Sequence, residues 1–178
     1  EHPISFEVFA DEADEMVRQA RLIASWGPNV YVKIPVTNTK GVSSEPVVRE
    51  LSADGVHLNV TALMTTSQVE MVAAASEGGP GHVVSVFAGR IADTGRDPIP
   101  LMTEAVNVLK QFPKQELIWA SPRELLNVFQ ANAIGCHIIT VTPEVLKKLS
   151  LVGKDLDEYS LETVKMFRAD AVAAGFSL

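Results

Sequence analysis

Short apolar runs rich in β-branched residues alternate along this chain with longer segments in which apolar positions recur every three to four residues. The runs Ile4–Phe9, Val30–Ile34, His57–Val60, His82–Val86, Glu116–Trp119 and His137–Val141 predict strands. Most are continuously apolar, the pattern of parallel strands covered by helices or closed into a barrel. Helical periodicity predicts Ala13–Trp26, Ser44–Asp54, Ser67–Glu77, Pro100–Phe112, Pro122–Ile134 and Pro143–Leu149 between them. In the first, Met16, Val17, Ala20, Ile23 and Ala24 share one stripe, and Asp11 is placed to cap it. Pro100, Pro122 and Pro143 stand where helices begin; Gly27, Gly55 and Gly135 stand where they stop. A last helix, about 160–175, is expected to be capped by Ser160 after a loop at Gly153–Tyr159.

Strand–helix alternation of this regularity means an α/β fold with a parallel sheet, either doubly wound or a (β/α)8 barrel of the TIM type. No G-x-G-x-x-G follows a strand and no G-x-x-x-x-G-K-[ST] occurs, so the common nucleotide-binding versions lack support. Six βα units are visible, whereas a closed barrel takes eight. The first strand begins within a few residues of Glu1, as it would in a barrel cut from its opening units. The expected organisation is one partial barrel domain over residues 1–178, ending in the C-terminal helix.

Composition narrows the partners. Of 178 residues, 47% are hydrophobic, enough for a core, and the 15 Lys+Arg against 22 Asp+Glu leave a net charge of −7. That balance, with no basic block, argues against nucleic acid. No apolar run approaches the roughly 20 residues of a membrane span. The single cysteine, Cys136, excludes an internal disulfide framework and a Cys-based zinc cluster. Its apolar surroundings, Ile134 to Val141, suit a buried, inert thiol. These bounds predict a soluble, acidic protein of a reducing compartment, the cytoplasm.

In βα barrels the C-terminal ends of the strands carry the chemistry, so polar residues there matter most. Lys33 lies inside Val30-Tyr31-Val32-Lys33-Ile34. A lysine in such a strand either points into the barrel, where burial would favour the free amine that attacks a carbonyl, or snorkels to solvent from the strand end. Glu7 and Thr61 sit on neighbouring strands and could relay protons through a water to that amine. The segment Phe87–Pro98 reads as a long loop carrying Arg90 and Arg96, and arginines there suit a phosphate. Arg96 with Asp97 reads as a solvated turn pair. Ser121 and Arg123 open the next helix, either completing the anion site or serving as ordinary first-turn residues. Histidines 2, 57, 82 and 137 fall at strand starts, the stability face.

These residues carry a resemblance. Val32-Lys33-Ile34-Pro35-Val36-Thr37, Asn59-Val60-Thr61-Ala62, Ser85-Val86-Phe87-Ala88-Gly89-Arg90-Ile91 and Ala120-Ser121 come in the order and spacing of the transaldolase family, which includes fructose-6-phosphate aldolase-like enzymes. The resemblance implies a metal-independent (β/α)8 barrel that holds a dihydroxyacetone unit as a Schiff base, without a cofactor, and acts on sugar phosphates in carbohydrate metabolism (the pentose phosphate pathway). It implies Lys33 as the Schiff-base lysine, Glu7 and Thr61 as holders of the catalytic water, and Asn59 and Ser85 against substrate hydroxyls. Arg90, Ser121 and Arg123 resemble phosphate contacts. Phe87 stands where the aldolase subgroup tends to tyrosine, and Glu7 where that subgroup tends to glutamine. Both favour transfer of the unit to an aldose phosphate over its release. Val86 departs from the proline common at that position.

The first strand here matches the family's third. The resemblance therefore implies a barrel lacking its first two βα units, together with an aspartate and an asparagine that the family places on them. Such a chain is expected to be poorly soluble and barely active by itself, which leaves an inactive barrel fragment as a competing reading. The C-terminal helix resembles one that some members bury against a neighbouring subunit.

Overall fold

The computed structural model describes residues 2–175. The chain divides into two compact units, Glu1–Val141 and Thr142–Leu178. In the first, β1 (Ile4–Glu7), β2 (Val30–Pro35), β3 (Leu58–Leu63), β4 (His82–Val86), β5 (Gln115–Trp119) and β6 (Ile138–Ile139) form one sheet. All pairings are parallel, in the order β1-β2-β3-β4-β5-β6. A doubly wound sheet reverses its strand order at a switch point; here sequence order is kept throughout. This is a partial (β/α)8 barrel, an open half-barrel of six strands.

Helices α1 (Ala13–Ala24), α2 (Glu45–Ala53), α3 (Thr66–Ala75), α4 (Ala88–Asp93), α5 (Ile99–Leu109) and α6 (Leu126–Ala133) follow the strands. Strand β2 shows how sequence sorts the two faces. Val30, Val32 and Ile34 are buried among the helices, while the alternate residues Tyr31, Lys33 and Pro35 are only half-buried. The helix-side core continues through Met16, Leu51, Leu58, Val60, Met102, Leu117 and Trp119. A separate small cluster, Val83, Ile118 and Ala120 with Tyr31, Phe87 and Ile138, lies on the interior face. Strand β1 has a single neighbour and is exposed along its whole length. Its Phe6 packs edge-on against Trp26, ring centroids 5.2 Å apart, and both stay partly exposed.

Two local expectations change. Asp11 does not cap α1. It accepts hydrogen bonds from Thr39 N and Thr39 Oγ1, both at 2.7 Å, and so ties the loop after β1 to the loop after β2. Those two charge-assisted bonds outweigh one cap. Pro122 does not open α6, which starts at Leu126; Asn127 Oδ1 instead gathers the amides of Arg123 and Glu124 at 2.8 and 3.1 Å.

The second unit contains α7 (Pro143–Lys147), a 3-10 turn at Lys148–Leu151, and α8 (Leu156–Ala173). The last helix thus begins several residues before the expected 160, with Ser160 inside it. Asp155 is the cap, accepting from Glu158 N at 2.9 Å. An aspartate three residues ahead of a glutamate is a capping pattern, and it wins over the later serine. Leu161, Val164, Met166, Phe167 and Val172 on α8 are exposed. Among the described residues, no helix is long and apolar enough to cross a membrane.

His82 opens β4 and is buried, 1% exposed. Its Nδ1 accepts from Leu58 N at 3.1 Å, which leaves the ring proton on Nε2 to reach Ser52 Oγ at 3.0 Å. Burial first, then the nearby positive charges of His57 and Lys114, lower its pKa to about 4. A lowered histidine pKa means the folded state resists the proton that the unfolded chain takes up near pH 6.5. The contribution is therefore complete above about pH 6.5 and is lost as pH falls toward 4, up to about 3 kcal/mol. Urea melts of the native chain and His82→Gln should differ most at pH 7, with the gap closing toward pH 4.5. A constant gap would contradict this account.

Candidate active site

The interior ends of β1 to β5 carry the polar groups that strand alternation turns inward. Register places Glu7 opposite Lys33, Lys33 opposite Asn59, and Pro35 opposite Thr61. Lys33 Nζ stands 3.4 Å from Glu7 Oε2, with the two side chains 30% and 47% exposed. The burial expected of Lys33 is thus partial, because β1 is an uncovered edge. What the strand supplies is an amine beside a carboxylate on the interior face.

Strand β3 lies deeper. Asn59 and Thr61 are buried, and both Asn59 Oδ1 and Thr61 Oγ1 lack a hydrogen-bond partner. Asn59 stands opposite Lys33 and Thr61 two residues further along the same strand, so β3 carries two uncommitted acceptors on the face of the lysine. The register of β3 against β4 slips between Val60 and Leu63, and Ala62 takes φ 65°. Strain of this kind in a non-glycine residue clusters at functional sites.

An open concavity of about 420 Å³ lies over this face, lined by Ser5, Lys33, Asn59, Ser85, Phe87, Ile118, Ala120, Ser121 and Thr140. Of the residues singled out in the sequence, Lys33, Asn59, Ser85, Phe87 and Ser121 line it, whereas Glu7, Thr61, Arg90 and Arg123 do not. Glu7 joins through Lys33. The guanidinium of Arg90 is exposed and sits 5.5 Å from the centroid of the Phe87 ring, at the edge of the concavity. Arg123 is drawn elsewhere: its Nε donates to Asp93 Oδ1 at 3.0 Å and its second nitrogen pairs with Asp93 Oδ2. Among the described residues Arg90 makes no ion pair, and its guanidinium lies over the Phe87 ring.

The segment Phe87–Pro98 is not one loop, because its first half forms α4. Gly89 makes that stretch look irregular in sequence, yet it is there for close approach. Its amide donates to Ala120 O at 3.2 Å, and a Cβ at this position would lie 1.5 Å from the Ser121 carbonyl oxygen. Ser121 itself has φ 56°. Sequence reasoning passes over Ser5, Thr140 and Asp93. Ser5 has a signal, since it lies two residues from Glu7 and shares its face; Asp93 has none, its partner being 30 residues away.

Strands wound in sequence order, with polar side chains gathered at their interior ends, define a protein of the βα-barrel class. The family model for transaldolase/fructose-6-phosphate aldolase matches residues 1–178, and the chain belongs to that family. It is 35% identical over 162 residues to a probable transaldolase of Herpetosiphon aurantiacus, covering 90% of this chain and 69% of that one. It is 39% identical over 148 residues to a probable transaldolase 2 of Listeria monocytogenes, covering 83% and 64%. The chain thus spans about two thirds of the length of these relatives. Among solved structures, a mandelate oxidase mutant with a flavin adduct matches 78% of this chain and 48% of its own with TM-score 0.57. At 17% identity that match speaks for the fold alone.

Proposed function

We propose that this chain supports transaldolase-type transfer of a dihydroxyacetone unit from a ketose phosphate to an aldose phosphate through a Schiff base on Lys33. The observation that carries the reading is the Lys33–Glu7 pair, 3.4 Å apart on the interior face of β1 and β2. In this mechanism the amine adds to the ketose carbonyl, and Glu7 takes and returns the protons needed to expel water as the imine forms. The C3–C4 bond then breaks as the C4 hydroxyl gives its proton to a general base, a part that the family assigns to an aspartate on its first strand; the aldose phosphate leaves as an aldehyde, and the electron pair stays on the imine as an enamine. The enamine adds to the acceptor aldehyde, and water releases the new ketose from Lys33. The buried hydroxyl of Thr61 is suited to hold that water, and Asn59 and Ser85 to bind hydroxyls of the bound unit. Arg90 and Ser121 are suited to the phosphate, whereas the guanidinium of Arg123 is committed to Asp93.

Phe87 favours transfer over release, because it offers no hydroxyl to protonate the enamine. Association of copies through the exposed apolar residues of α8 belongs to the same reading, as does a cytoplasmic setting, where an unpaired Cys136 is at home. Fructose 6-phosphate with an aldose phosphate acceptor should give a new ketose phosphate, whereas fructose 6-phosphate alone should give little free dihydroxyacetone. The reverse outcome would make the chain a lyase, and neither product would make it an inactive barrel fragment.

The phosphate role of Arg90 has its own check. Arg90→Ala should raise the half-saturating concentration of fructose 6-phosphate by about tenfold, a modest loss because the guanidinium is solvent-screened. Free dihydroxyacetone carries no dianion and should bind as before. Equal weakening of both donors would make Arg90 structural.

A further inference from the structure

Ser5 and Glu7 stand two residues apart on β1 and therefore share the interior face. Ser5 pairs in register with Tyr31, yet its Oγ accepts a hydrogen bond from Asn59 Nδ2 of β3 at 3.0 Å, reaching across the intervening β2. Contact between alternate strands is what barrel curvature produces, since interior side chains of every second strand meet in one layer. Asn59 is 7% exposed and is the register partner of Lys33. With its amide nitrogen given to Ser5, its Oδ1 is left buried and unpartnered. The bond to Ser5 occupies the donor side of the carboxamide and leaves its acceptor uncommitted.

We propose that Ser5 is a positioning residue that holds the Asn59 carboxamide so that Oδ1 accepts a hydrogen bond from a hydroxyl of the carbon skeleton bound at Lys33. The proposal rests on the Schiff-base reading above and on the dihydroxyacetone unit assigned there, whose hydroxyl beside the reacting carbonyl supplies the donor; what it adds is the part of Ser5. Ser5 acts through Asn59, so its loss should weaken capture of the hydroxyketone without slowing the amine chemistry.

The test measures borohydride trapping of dihydroxyacetone on the full chain and on Ser5→Ala, Ser5→Thr and Ser5→Val. Threonine and valine have nearly the same shape and both suit a strand, but only threonine keeps the hydroxyl. The half-saturating concentration should rise about tenfold in the alanine and valine variants, as expected for one lost hydrogen bond, and stay within about twofold in threonine. The saturated trapping rate should be the same in all four. Equal behaviour of threonine and valine, or an alanine variant like the native chain, would overturn the assignment. A second readout needs no ligand: solvent exchange of the Asn59 side-chain amide protons, followed by NMR, should be slow in the native and threonine proteins and faster in alanine and valine. Equal exchange in all four overturns the Ser5–Asn59 coupling even if trapping works. No trapping by the native chain overturns the Schiff-base reading and the ligand assigned with it, while the exchange data judge the coupling separately.

Discussion

Lys33→Ala should reduce borohydride trapping of fructose 6-phosphate to background, and mass spectrometry of the native chain should place the reduced adduct on Lys33. The argument is one of position. Among the described residues Lys33 is the one lysine that lies within a strand; Lys40 is in a loop and paired with Glu12, and Lys114 precedes β5 with its Nζ donating to Gly79 O at 3.2 Å. A lysine at the interior end of β2 meets a substrate lodged in the concavity, while a loop lysine meets solvent. In the proposed mechanism the carboxylate 3.4 Å away would carry the protons that imine formation needs. Lys33→Met gives the cleaner comparison, because it keeps the unbranched stem that packs on the interior face and deletes only the amine. Since the native side chain is 30% exposed, this change should leave the urea midpoint nearly unchanged while abolishing the adduct. An adduct on Lys40 or Lys114 would refute the assignment, and a large fall in stability would mean that Lys33 serves the fold.

The alternation of Val30, Val32 and Ile34 with Tyr31, Lys33 and Pro35 is legible in the residues themselves, because a parallel strand under helices buries one face fully whatever covers the other. The same logic places Glu7, Lys33 and Asn59 on one side of the sheet, and register then puts them side by side. Partial exposure of Lys33 is not legible. It depends on whether β1 has a neighbour, which is a property of the sheet and not of the segment. Pairs made between distant segments are hidden for a related reason. Nothing local to Arg123 tells that Asp93 will neutralise it, and a helix-opening arginine reads the same with or without that partner. Caps fail differently. Asp11 is a plausible cap that tertiary structure recruits to Thr39, while Asp155 is a true cap that the later Ser160 obscures. The glycine in Phe87–Pro98 suggests flexibility, when its real use is its lack of a side chain.

That glycine carries the second large effect. In most helices replacing glycine by alanine stabilises by about 1 kcal/mol, through a smaller entropy loss on folding. Gly89→Ala should do the opposite and destabilise by about 3 kcal/mol or more, the upper end for overpacking. The added methyl would sit 1.5 Å from the Ser121 carbonyl oxygen and 2.6 Å from its carbonyl carbon, so backbone must move. Ser121 has little room to yield, since its φ of 56° already lies in the left-handed region. Retreat of either segment would also break the 3.2 Å bond from Gly89 N to Ala120 O and shift Phe87 and Ser121, two walls of the concavity. Loss of stability should therefore come with weaker capture of fructose 6-phosphate. Gly95→Ala separates crowding from backbone strain: that residue has φ 79° with nothing within 4 Å of an added Cβ, so it should cost only about 1 kcal/mol and leave capture intact. Urea midpoints and trapping curves for the two variants decide the matter. Equal costs at the two glycines would mean that α4 does not press on the strand-end loop, and that the wall formed by Ser121 owes nothing to Gly89.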